Sequence, residues 1–352
     1  MFQLLHKVNF DWLKYRRVFI ALSVALMLAG LGSAIIRQAV PGGTDAFNLG
    51  VDFKGGTVVT VKFLKQPPSD EALRAQFTQQ GLSEAIIQPT DKPDEVLVKV
   101  PRKSAGQAVS AEEEAAQVDA GSVLVKKALD TFGPENEAYQ ILSKEAVGEV
   151  AGQQLRIQAI SVTLLAVIGM LLYIAARYEW TYGAAAAITV FHDVLVTLGF
   201  FSIFQWEVSL TVIAALLTLV GFSVNDTIVT FDRVRENLRL HRRQSLYKIT
   251  NDAINETLSR TVITGGLVFL SVLALVIFGG EVLRGFSLAL FIGIIVGTYS
   301  TIAIASPIMV WWQQRLEAGR APAPPAGRGG GGGTRQRPTA GARDAKANAA
   351  AG

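Results

Sequence analysis

The sequence predicts a polytopic α-helical membrane protein: six transmembrane helices, with one α+β domain inserted between the first and the second. Three observations carry that reading. Six stretches are apolar enough to span a bilayer, one long polar segment separates the first from the rest, and Lys and Arg collect at alternate span ends. Half of the 352 residues are apolar and 18% are charged, against roughly 25% in an ordinary soluble domain.

About 20 apolar residues carry a helix across the hydrocarbon. The qualifying stretches are 18–36, 157–175, 183–204, 208–231, 261–278 and 285–311. Basic residues precede the first span (Lys7, Lys14, Arg16, Arg17), follow the second (Arg177), fill 233–260 and follow the sixth (Arg315, Arg320). The opposite connections, at 205–207 and 279–285, hold only Arg284. Positive charge marks the cytoplasmic side, so both termini are expected inside and the polar segment outside. The expected organisation is a cytoplasmic segment at 1–17, the first span at 18–36, an extracytoplasmic domain with its connections at 37–156, five spans within 157–311, and a disordered Gly/Ala/Pro/Arg tail at 312–352. The first span is longer than a usual signal core and no clear small-x-small cleavage site ends it before Arg37, so it reads as an uncleaved anchor. Residues 1–12 read as an interfacial amphipathic helix, with a frayed start as the open alternative. The charged connection at 232–260 is expected to be a long loop.

The polar segment alternates strand and helix signals. Residues 57–63 have strand composition, and KQPP stops them. Ser69 opens a helix with acids in its first turn and Gly81 as its stop. Two short strands at 84–89 and 95–100 flank the turn DKPD, a second helix spans 111–132, and a last strand spans 137–147. The order β-α-β-β-α-β is ferredoxin-like.

Several chemistries are excluded. There is no cysteine, so thiolate metal sites, disulfides and cysteine nucleophiles are absent. With three histidines a histidine-rich metal site is not expected, and no GxxxxGK[ST] run is present. The tail run GRGGGGGTR lacks the lysine and the strand–helix setting of a phosphate loop. No cofactor, metal or nucleic acid is expected. The remaining energy source is an ion gradient, in which one charge moved through 100 mV is worth about 2.3 kcal/mol.

The informative residue is Asp226, the one acid in an otherwise uncharged stretch at 208–231. A carboxylate in hydrocarbon costs about 2.5–3.5 kcal/mol on insertion scales and marks an ion path, a proton relay or a buried ion pair. Ser223, Asp226, Thr230 and Arg233 share one helical stripe, with Asn225 beside them. Asp226 is read either as a titrating group or as half of a static pair with Arg260, which lies at a similar depth on the antiparallel fifth helix. On the third helix Asp193 follows His192, and Ala185, Thr189, Asp193 and Thr197 form a small polar face. Asp193 is read as a second proton site or as an orienting hydrogen-bond partner. Gly293-x-x-x-Gly297 is a close-packing signal.

FNLGVDFKGGTVV (47–59), HDVLVTLGFFSIF (192–204), VGFSVNDTIVTFDRVREN (220–237) and NETLSRTVITG (255–265), in this order, resemble the SecF family of the SecD/SecF protein-export subunits, within the resistance-nodulation-division superfamily. The resemblance covers about residues 1–315. It implies a non-enzymatic role in the bacterial cytoplasmic membrane, using the proton-motive force to assist preprotein export. The implied partners are SecD, the SecYEG channel, YajC, YidC, the translocating preprotein and membrane lipid. The family's functional acid falls on Asp226 and its arginine on Arg260. Its GxDFKGG motif falls on Gly50, Asp52, Phe53, Lys54, Gly55 and Gly56, whose glycines are read as a hinge or a plain turn. Two alternatives stay open: a stabilising subunit that conducts no protons, and a small-molecule or lipid transporter of the same superfamily.

Overall fold

In a computed structural model of the chain, residues 8–40, 45–83, 85–90, 92–101 and 121–320 are described. Residues 1–7, 111–120 and 321–352, to which parts of the expected N-terminal helix, second domain helix and tail belong, lie outside them. Among the described residues six helices are long and apolar enough to cross a membrane: Trp12–Ala39, Ala151–Arg177, Trp180–Phe204, Leu210–Leu240, Leu246–Phe278 and Val282–Leu316. They contain α1 (Arg16–Ala39), α5 (Glu149–Arg177), α6 (Trp180–Phe204), α7 (Leu210–Leu240) and α8 (Leu246–Phe278). The sixth combines α9 (Gly280–Ser300), a π-helical turn at Thr301–Ala305 and α10 (Ser306–Arg320).

Between α1 and α5 lie β1 (Asn48–Leu49), α2 (Val51–Lys54), β2 (Gly56–Phe63), α3 (Asp70–Gln79), β3 (Ile86–Pro89), β4 (Glu95–Pro101), α4 (121–129) and β5 (Tyr139–Val147). The sheet order is β3-β4-β2-β5 with every pair antiparallel, which is the expected ferredoxin-like arrangement. Alternate residues of β2 (Val59, Val61, Phe63) face Leu73 and Phe77 of α3 and Val125 and Leu129 of α4, forming a closed core. The Ser69 hydroxyl accepts the Ala72 amide at 3.3 Å and Gly81 takes φ +80°, so α3 starts and stops where its sequence signals place it.

Four expectations are corrected. The long loop expected at 232–260 is mostly helix, because α7 runs to Leu240 and α8 begins at Leu246. Beyond the hydrocarbon a helix can carry charge, and Arg233 bridges Glu236 on its own helix at 2.6 Å and Glu256 of α8 at 2.5 Å. The connection expected at 279–285 shrinks to Gly279, with Gly280 at φ +71° turning the chain and Arg284 inside α9. Residues 312–320, expected to be disordered, continue α10. Residues 8–11 are not helical, and only a 3-10 turn at Trp12–Tyr15 precedes α1. There the chain is held by α8: the Asn251 and Asn255 amides each donate to Phe10 O at 2.9 Å, and the Trp12 indole donates to Asn255 at 3.0 Å.

The bundle closes where side chains vanish. On α1 and α6, Gly30 and Gly199 meet backbone to backbone, and a Cβ at Gly199 would lie 2.9 Å from the Gly30 Cα. The GxxxG signal in α9 has the same use: Gly293 faces Leu219 and Gly297 faces Ser223, both on α7.

Candidate functional site

Close packing of α6, α7 and α9 encloses a polar cluster in the interior of the bundle. Asp193, near the middle of α6, is 1% exposed. Its Oδ2 accepts the hydroxyls of Ser223 on α7 at 2.5 Å and Ser300 on α9 at 2.9 Å. Its Oδ1 is 2.9 Å from Nδ1 of His192, which donates when Asp193 is ionised. One carboxylate thus ties three helices together. Thr227 of α7 and Thr301 of the π turn add a hydroxyl–hydroxyl bond at 3.0 Å. The expected small face of α6 is in place, with Ala185, Thr189, Asp193 and Thr197 all buried.

Asp226 is one helical turn further along α7 and 8% exposed. Its Oδ1 accepts the Thr261 hydroxyl of α8 at 2.8 Å, while its Oδ2 is buried and accepts no hydrogen bond from the described residues. Thr261 also lines an apolar groove of about 490 Å³ between α8, α9 and the start of α1, walled by Trp12, Phe269 and Tyr299.

The residues singled out from the sequence divide. Ser223 and Thr230 are buried with Asp226, whereas Asn225 is exposed. Arg233 lies beyond the cluster, engaged with Glu236 and Glu256. Arg260 has an exposed side chain, and no ion pair within 4.0 Å joins it to Asp226 among the described residues. Thr261, the next residue on α8, reaches the acid instead, because successive helical residues are about 100° apart.

Thr261, Ser300, Thr227 and Thr301 were not singled out from the sequence. A hydroxyl on an apolar helix usually bonds its own backbone, so type and spacing gave no signal. For Ser300 and Thr301 a cue existed in Pro307. Proline has no N–H and its ring clashes with the carbonyl four residues earlier. Immediately before it the helix widens, with the Ser306 amide bonding to Thr301 O.

The GxDFKGG residues sit elsewhere, at the end of the bundle that carries the α+β domain. Gly50 is the N-cap of α2, Lys54 pairs with Asp45 at 2.6 Å, and Phe53 packs with Phe201, Val208 and Val212. Gly55 and Gly56 take φ +75° and +145°, conformations that a side chain resists. Asp52 meets the first residue of α7, about 24 Å along that helix from Asp226 at its 1.5 Å rise.

Residues 125–315 match the family described as protein export membrane protein SecD/SecF, C-terminal, and residues 43–63 match the SecD/SecF GG motif. A protein translocase subunit SecF from Koribacter versatilis is 38% identical, over 89% of this chain and 94% of the relative. One from Desulfurispirillum indicum is 41% identical, over 78% and 84%. Among solved structures, SecDF of Thermus thermophilus, described as a translocon-associated membrane protein, superposes with a TM-score of 0.71 at 35% identity. That likeness covers 88% of this chain and 39% of the SecDF chain, so the present chain spans well under half of it. With two family signatures in the expected order and near full-length similarity to its translocase subunits, this multi-pass membrane chain belongs to the SecF family.

Proposed function

We propose that the chain pairs with SecD and uses the proton-motive force to assist preprotein export through SecYEG. In this reading Asp226 takes up and releases protons, helix packing shifts with its charge, and the α+β domain moves against the emerging polypeptide. YajC and YidC are accessory partners. The membrane is the bacterial cytoplasmic membrane, with both termini inside and the α+β domain outside. The basic residues at 7–17, 233–260 and 315–320 support that orientation. The chain makes and breaks no covalent bond in its substrate.

One observation carries the reading, the contrast between the two buried acids. Asp193 has its oxygens occupied by His192, Ser223 and Ser300, which suits an orienting group. Among the described residues Asp226 has a single donor, Thr261, and a second oxygen buried without one. A charge so placed is costly in hydrocarbon, and adding a proton relieves the cost. Arg260, one residue from Thr261, supplies positive charge at that height on α8.

The test is preprotein translocation into vesicles holding the chain with SecD and SecYEG, with and without an imposed proton gradient. Asp226→Asn should abolish gradient-dependent stimulation and leave SecD binding intact. Full stimulation by that variant overturns the reading. A second reading, a stabilising subunit that moves no protons, is favoured by the closed Asp193 network. It predicts equal proton flux in vesicles carrying the wild type or Asp226→Asn.

A further inference from the structure

The chain from 46 to 55 lies against the domain-side ends of α6 and α7. The Ser202 hydroxyl donates to Ala46 O at 2.8 Å, and the Asn48 amide to Gln205 O at 3.2 Å. β1 pairs in parallel with β6 (Glu207–Val208), and Gly50 N donates to Val208 O at 2.8 Å. From the domain itself, Lys99 of β4 forms a partly buried ion pair with Glu207. Packing at the junction is close: a Cβ on Gly50 would lie 2.7 Å from the Glu207 carboxylate, and one on Gly152 would lie 3.1 Å from Gly55 N.

The start of α7 completes the junction. Ser209 occupies its N-cap position but makes no capping bond, and its hydroxyl is paired with Thr211 at 2.8 Å. The first amide, Leu210 N, instead donates to Asp52 Oδ2 at 2.9 Å. A helix N-terminus presents unpaired amides and partial positive charge, and a carboxylate satisfies both. Asp52 therefore caps α7 from a remote part of the chain, at the head of the helix that carries Asp226.

We propose that Asp52 is a positioning residue which, with the Lys99–Glu207 pair, fastens the α+β domain to α7 as one rigid body. Movement of α7 about Asp226 then reaches the domain directly through this junction. The inference rests on the proton-coupled reading above and adds the path by which that coupling leaves the membrane.

The experiment uses the full chain with SecD and compares Asp52→Ala, Asp52→Asn and the pair Leu49→Cys/Val208→Cys. Leu49 and Val208 are register partners, and the natural chain has no cysteine to interfere. Hydrogen exchange at 210–213 reads the cap. Losing it should speed exchange about fivefold in Asp52→Ala, the equivalent of the ~1 kcal/mol of a typical cap, with Asn restoring most of the protection. Gradient-dependent export should fall at least threefold in Asp52→Ala, recover in Asp52→Asn, and recover in Asp52→Ala when the cysteine pair is oxidised. Unchanged exchange in Asp52→Ala overturns the cap. Undiminished export in Asp52→Ala, or arrest of export by oxidation in the Asp52 background, overturns the rigid junction. Asp226→Asn runs alongside: its normal export would refute proton coupling, while exchange at 210–213 still decides the cap.

Discussion

Gly293→Ala isolates the contact that holds the Asp193 cluster closed. A Cβ at this position would lie 2.6 Å from Leu219 Cδ2, 2.7 Å from Cδ1 and 3.0 Å from Cγ. Relaxed carbon–carbon contacts are about 3.5–4.0 Å, so roughly 1 Å of movement is required. Leu219 is fully buried, so the strain falls on its packing and on the approach of α9 to α7. A shift of α9 also loads its bond to α6, Ser300–Asp193 at 2.9 Å, which about 1 Å of stretching takes beyond hydrogen-bond length. Overpacking costs about 1–3 kcal/mol, and a hydrogen bond to a charged group contributes about 1.5–3 kcal/mol. Together these predict a loss of about 2.5–6 kcal/mol in thermal or denaturant unfolding of the detergent-solubilised chain. Gly221→Ala is the control, because among the described residues nothing lies within 4 Å of a Cβ there, and alanine in a helix is better than glycine by up to about 1 kcal/mol. Adding Leu219→Ala to Gly293→Ala should recover part of the loss, a coupling that a double-mutant cycle measures. If Gly293→Ala were as stable as Gly221→Ala, the close approach of α7 and α9 would be refuted.

Two further outcomes follow from groups already placed. Asp193→Ala strands the Ser223 hydroxyl and His192 in the bundle interior and leaves Ser300 only its bond to Gly297 O at 3.1 Å, so unfolding should show a loss of about 2–3 kcal/mol; a neutral result would mean the cluster bonds do not persist in the membrane. In the α+β domain, Tyr139 is fully buried and donates to Asp130 at 2.6 Å. Burial first, and Asp130 second, push its hydroxyl up from the ordinary value of 10.0. A raised folded-state value means its contribution is intact below pH 10 and is lost as pH climbs above it. Hydrogen exchange along β5 should therefore accelerate above pH 10 in the wild type and show a flatter pH dependence in Tyr139→Phe.

Local signals were the legible part of this fold. Ser69 and Gly81 bounded α3, alternation marked β2, and apolar length marked every span, because each depends on neighbours in sequence. The spans ran longer than their apolar windows because the bilayer limits where charge is cheap and not where helix stops, as Arg233 and Glu256 illustrate. The candidate site was legible in its acids alone. Asp193 and Asp226 stood out because charge in an apolar run is rare, whereas the hydroxyls that reach them are ordinary residues until helices α8 and α9 are packed beside them. The GxDFKGG motif was visible, but its contact with α7 joins residues 158 apart in the chain, and no local pattern encodes that.

The wide turn at Thr301–Ala305 has a further consequence for the sixth span. It holds one more residue than a regular turn, which acts as a phase shift of about 100° between the two halves of the helix. Ahead of it, Ser300 points at Asp193; after it, Met309 and Val310 are fully enclosed in a separate apolar cluster with Tyr182 and Phe231. A span with uniform pitch would bring only one of those two faces into alignment, so this single surplus residue lets one helix serve a polar centre and a greasy one in succession.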